Sequence, residues 1–140
     1  MPYRFLPDVA LADVAYEAES DSPSGLFESC AEAMTEVMVD RKTVGNDSIK
    51  AVSLTSTDLD RLLYDFLTEL IYIKDVDSLL FSQFKVNVSE DGTSLRAVAR
   101  GETIDREKHS LRNDVKAVTM HMFGVRHEGK KWKSTVVLDI

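Results

Sequence analysis

Two aspartates and a chain-terminal carboxylate are the groups here whose types and placement can do chemistry together. The last residues are Thr135-Val136-Val137-Leu138-Asp139-Ile140, an apolar β-branched run carrying Asp139 beside the carboxylate of Ile140. Such a segment favours a place in a sheet. Near the start, Ala12-Asp13-Val14-Ala15-Tyr16-Glu17-Ala18 sets another acid among small and apolar residues. Period-2 geometry puts Leu11, Asp13 and Ala15 on one face of that strand. If the two strands are neighbours, Asp13, Asp139 and the carboxylate of Ile140 converge. Clustered carboxylates repel unless they are protonated or bridged by a cation. Spacing leaves two outcomes open: an ion pair from Asp13 to Arg4, Lys116 or Arg112, or a hard-cation site built from Asp13, Asp139 and Ile140.

Other candidates carry less. His109, His121 and His127 lack metal-ligand spacing, and each is expected as a lone surface or loop histidine. Cys30 falls on the apolar face of a helix and reads as an inert core thiol. Tyr64 and Asp65 read as part of a solvated helix face. The glycines are scattered, with no phosphate-binding loop, and no G-x-S-x-G elbow is present. No residue pattern supports catalysis by this chain, so catalytic and cofactor-binding residues are expected to be absent.

The 140 residues fit one domain, 1–140, with room for a core. No apolar run approaches the length of a membrane span, and Met1–Asp8 lacks a signal-peptide core. A single cysteine excludes an internal disulfide, and the cytoplasm is the expected location. The net charge of −7 disfavours a phosphate backbone as partner, although it does not exclude a local basic patch.

The elements that must position these groups are legible from periodicity. Ser22 caps a helix from Pro23 to Val39, with Leu26, Phe27, Cys30, Ala31, Met34, Val37 and Met38 on one face. Thr57 caps a second helix, with Asp58 and Asp60 near its start and an apolar stripe from Leu59 to Ile71. Ile49–Thr55 alternates as a strand. Phe84–Ser89 and Ser94–Arg100 flank an Asp91-Gly92 turn, and Thr119–His127 and Lys131–Asp139 flank Gly129; both pairs read as hairpins. Leu111–Val118 is either a short helical turn or an extension of the next strand. The order predicts an α+β fold: a mixed or antiparallel β-sheet with two helices packed on one face.

Several segments, in order along the chain, resemble the archease family. They are Ala12-Asp13-Val14-Ala15, Leu62-Leu63-Tyr64-Asp65-Phe66-Leu67, Leu79-Leu80-Phe81-Ser82-Gln83-Phe84, His109-Ser110-Leu111-Arg112 with Val115-Lys116-Ala117-Val118-Thr119, and Val137-Leu138-Asp139-Ile140. The resemblance implies a non-enzymatic accessory activator of an RtcB-type tRNA-splicing RNA ligase, promoting its guanylylation and multiple turnover. It also implies a divalent cation, described as calcium, held by an acid of the Ala-Asp-Val segment and the last two residues: here Asp13, Asp139 and Ile140. The family pattern reads His-Thr before Ala-Asp-Val, whereas this chain has Ala10 and Leu11. The implied partner is the ligase, with no direct nucleic-acid contact and no membrane. The rival functions are a more general chaperone-like modulator of RNA-processing or modifying enzymes, and a metal-dependent hydrolase that lacks any accompanying base or nucleophile.

Overall fold

Helix α1 (Pro23–Met38) starts where the cap chemistry places it. Ser22 is extended, its Oγ accepts the Gly25 N–H at 3.0 Å, and Pro23 occupies the first helical position. Helix α2 (Leu59–Asp77) is capped one residue later than expected. Asp58, rather than Thr57, accepts the Arg61 N–H, at 2.8 Å. The helix also runs past Ile71 to Asp77 and ends on Ser78 in the left-handed conformation (φ 54°). That single residue turns the chain straight into a strand, five residues before the expected start at Phe84.

The computed structural model describes residues 2–7 and 13–140. Its strands are β1 (Tyr3–Phe5), β2 (Asp13–Ser20), β3 (Ser48–Thr55), β4 (Leu79–Val88), β5 (Ser94–Thr103), β6 (Ala117–Val118), β7 (Gly124–Glu128) and β8 (Lys131–Asp139). Every pairing is antiparallel, and the strands divide into two sheets. One runs β1-β2-β8-β6, with β7 also on β8; the other runs β3-β5-β4. Both helices pack against strands of both sheets. A single core joins Tyr16, Leu26, Phe27, Phe66, Leu67, Leu95 and Leu138. Phe27 of α1 stacks on Phe66 of α2 at 6.1 Å between centroids. The α+β class is as expected, and the helices lie against two sheets because β3 and β4 both pair with β5, apart from β2 and β8.

The segment 111–123 departs most from expectation. Leu111 makes an isolated bridge to Val39, and Arg112 and Asn113 donate main-chain N–H groups to Met38 and Val37 carbonyls. The chain then crosses to β8, where only Ala117–Val118 pair as a strand. Residues 120–123 turn, with Met122 at φ 57°, so the hairpin strand expected over Thr119–His127 shortens to Gly124–Glu128. The turn is closed by the Phe123 N–H, which donates to the Met120 carbonyl at 3.3 Å, and it returns the chain to β8.

β8 is the spine of the larger sheet. Residues Ser134 to Leu138 are all buried, because β8 has neighbours along both edges and cover on both faces. Cys30 is buried as expected, and burial pushes its thiol up to about 12. Ser134 Oγ lies near that thiol. It forms no hydrogen bond of ordinary geometry with any described residue, and sulfur is a poor partner in any case. Below it, Tyr16 is wholly buried and donates its hydroxyl to the Cys30 carbonyl at 2.8 Å. This anchors β2 to α1 and so fixes the strand that begins at Asp13.

Candidate functional site

Antiparallel register brings the two aspartates together. Asp13 is the first residue of β2, Asp139 the last of β8, and they are direct cross-strand partners. Such partners share a face, with Cβ atoms about 4.5–5.5 Å apart. The register is held by burial: Val14 lies opposite Leu138, both packed into the core, while Ala15 lies opposite Val137 on the other face. A one-residue slip would move every one of these side chains to the wrong face. Ile140 packs its side chain against the same core, which holds its carboxyl end beside Asp139. Asp13, Asp139 and Ile140 are each half-buried.

The third neighbour of Asp139 comes from 111–123. Ala117 is its register partner on the opposite side, and the Lys116 N–H donates to the Asp139 carbonyl at 2.8 Å. The ion-pair partners considered for Asp13 face elsewhere: Arg4 pairs with Glu17 at 3.4 Å, and Arg112 lies 3.8 Å from Glu36. No described cation lies within ion-pair distance of Asp13 or Asp139. Among the described residues, no three His, Cys, Asp or Glu side chains form a metal-binding group. The side-chain oxygens brought together at the end of β2 and β8 are the carboxylates of Asp13 and Asp139. These are hard oxygen donors of the kind that suits Ca2+ or Mg2+ and not a soft metal. Ala10 and Leu11 lie outside the described residues.

Sequence reasoning missed a second polar cluster. His109, expected at the surface, is buried, and its Nε2 lies 2.6 Å from Glu102 Oε1. The Asp105 N–H donates to its Nδ1 at 2.9 Å, so Nδ1 carries no proton and Nε2–H is the donor to Glu102. Glu102 also accepts from Lys108 Nζ at 2.8 Å and from the Gly45 N–H at 2.7 Å. Lys108, then the Gly45 amide, then His109 hold the Glu102 carboxyl down at about 2, against its ordinary 4.5. The cluster ties 101–110 to the loop after α1. No sequence signal reveals it, because the three partners are a loop glycine, a flexible lysine and a lone histidine. A carboxyl lowered on folding stabilises fully above its ordinary value and loses that contribution as pH falls through about 2. The stability difference between wild type and Glu102→Gln should therefore be flat near neutrality and shrink between about pH 4.5 and pH 2. Urea midpoints across that range check this; a gap that stays constant to pH 2 would show that Glu102 acts through packing alone.

The remaining singled-out side chains are structural. Asp65 accepts from Ser56 Oγ and pairs with Arg61 at 3.1 Å, and Tyr64 packs edge-on against Phe123. His127 stacks on Trp132 at 3.9 Å, and His121 is exposed.

The match to the archease protein family (MTH1598/TM1083) spans residues 3–140. The chain belongs to the archease family. It is 42% identical to an archease of Methanothermobacter thermautotrophicus over 131 residues, covering 92% of this chain and 93% of that one. It is 37% identical to an archease of Methanosarcina acetivorans over 141 residues, covering 99% and 95%. The solution structure of Methanobacterium thermoautotrophicum protein 1598 superposes with a TM-score of 0.87 at 38% identity, over 99% of each chain. A Thermotoga maritima crystal structure, described as an archease and possible chaperone, has a TM-score of 0.65 at 18% identity over 96% of each chain; it shows the shared fold alone. The family places this chain as an archease-type accessory protein and not an enzyme. No described helix is long and apolar enough to cross a membrane.

Proposed function

We propose that this chain activates an RtcB-type tRNA-splicing RNA ligase in the cytoplasm, promoting its guanylylation and multiple turnover. In this proposal a divalent cation, Ca2+ by its oxygen donors, is held by Asp13, Asp139 and the carboxyl group of Ile140. The observation that supports the cation most directly is the cross-strand pairing of Asp13 with Asp139, neither of which forms an ion pair with a described residue. A bound hard cation would neutralise the paired carboxylates and offer its remaining coordination positions to oxygen atoms of water or of a partner. The chain's own residues do the positioning. The β2–β8 register sets the carboxylate spacing, the packed Ile140 side chain holds the last donor, and Ala117 closes the far side of Asp139. The guanylate chemistry belongs to the ligase.

The test compares wild type with Asp13→Ala, Asp139→Ala and a C-terminally extended form. Ligand charge sets affinity at a hard-cation site, so Asp139→Ala should weaken binding of Ca2+, or of luminescent Tb3+, by about tenfold or more. Labelling of the ligase by GTP should fall in parallel. The fold should survive, since removing one carboxylate of a directly opposed pair relieves repulsion. Full activation and unchanged Tb3+ binding by all three variants would remove the acid pair from the function. Acceleration of other RNA-processing enzymes with no effect on the ligase would favour the general modulator instead.

A further inference from the structure

The outer face of the β3-β5-β4 sheet has a composition at odds with the rest of this acidic chain. Its inner face, with Val52, Leu95, Ala97, Ala99 and Val86, is buried in the core. Cross-strand partners lie on the same face, so the register lays out the outer face in rows. Ile49, Arg100 and Gln83 form one row; Ala51, Val98 and Lys85 the next; Ser53, Arg96 and Asn87 the third. All nine residues are exposed. The rows hold three cations and no carboxylate, in a chain of net charge −7. None of Lys85, Arg96 and Arg100 forms an ion pair with a described residue.

We infer that this sheet face binds the phosphate backbone of a nucleic acid. Arg96 and Arg100 stand four residues apart on one strand, about 14 Å. Lys85 lies between them on the neighbouring strand, opposite Val98. Gln83, Asn87 and Ser53 stand beside the arginines, and amide and hydroxyl groups of this kind join arginine and lysine in contacts to phosphate. A protein partner is disfavoured by the same residues. Protein interfaces use arginine too, but they centre it among buried aromatic anchors, and these rows contain no aromatic residue. That absence also removes base stacking, so the binding is to backbone charge, indifferent to sequence and strongly dependent on salt. The site is on a different sheet from Asp13 and Asp139, and it stands or falls independently of any action on a ligase.

The test is anisotropy of a fluorescent oligouridylate of about twenty nucleotides, titrated with the full chain alone over a salt series. Three phosphate contacts on a single strand predict a slope of log K against log salt of roughly −2. The variant Lys85→Gln/Arg96→Gln/Arg100→Gln, which keeps side-chain bulk on an exposed face, should lose affinity at least about tenfold at low salt and flatten that slope. Arg96→Glu alone should weaken binding in the same direction. The control Arg106→Gln/Lys130→Gln, which removes exposed charge elsewhere, should leave affinity and slope nearly unchanged. Absence of binding, equal losses in the control and the triple variant, or poly-glutamate binding tighter than the RNA at matched charge concentration would each overturn the proposal. The last result would assign the face to an acidic protein.

Discussion

Gly101→Ala should destabilise the protein by about 3 kcal/mol or more. Gly101 lies in β5, the central strand of the smaller sheet, opposite an irregularity in β4 between Phe81 and Gln83. There β4 carries its main chain over Gly101. A Cβ on Gly101 would stand 1.8 Å from the Leu80 carbonyl oxygen and 2.7 Å from the Phe81 Cα. Both are backbone atoms, so no rotamer relieves the clash. β4 itself cannot retreat, because Leu80, Phe81 and Val86 are in the core. Gly25→Ala is the instructive contrast. There the nearest atom is Ser20 Oγ, a side-chain hydroxyl that can rotate away; Ser20 Cβ and the capping Ser22 Oγ, both at 3.2 Å, need yield only slightly, and alanine favours the helix by up to about 1 kcal/mol. Urea midpoints for the two variants should move in opposite directions or differ widely. Similar values for both would show that β4 yields at the bulge.

Lys74→Met should cost about 2 kcal/mol and loosen the segment beside Asp139. Lys74 is buried near the end of α2, and its ammonium group donates to the Val115 carbonyl at 3.0 Å. It also lies 2.6 Å from Asp114 and 3.0 Å from Asp75. Those two carboxylates are largely exposed and can be solvated when the lysine is lost, so they add little. The carbonyl of Val115, a wholly buried residue, is the group left without its charged donor. Methionine fills the space of the lysine stem, which separates the lost donor from a cavity. Amide exchange at Lys116 and Thr119, whose N–H groups bond to Asp139 and Val137, should accelerate in the variant. Unchanged exchange there, with lowered stability, would confine the role of Lys74 to α2.

What the sequence discloses and what it hides divide along a physical line. Helix stripes, the Ser22 cap, the Asp91-Gly92 and Gly129 turns and the acid-bearing end strands are local or periodic signals, and each leads to an element found in the structure. The closeness of Asp13 and Asp139 follows from two apolar strands each seeking a partner, and their register is direct. The division into two sheets depends on which strands meet across the core, and periodicity does not carry that information. Lys74, Glu102 and His109 are polar residues whose burial is set by partners 41, 57 and 7 positions away, so composition assigns them to the surface. The strand start at Leu79 was hidden because Ser78, rather than a glycine, takes the left-handed turn.

The β2–β8 seam also has a temporal meaning. It joins segments from opposite ends of the chain, whereas α2, the β4–β5 hairpin and the β7–β8 hairpin close over short stretches. Pairings that close long loops form late and slow the folding of the whole molecule. The two aspartates lie at the open end of that seam. Any ligand that needs both therefore recognises only molecules in which the final pairing is complete. It would act on the clock by slowing escape from the folded state, with little effect on the rate of arrival.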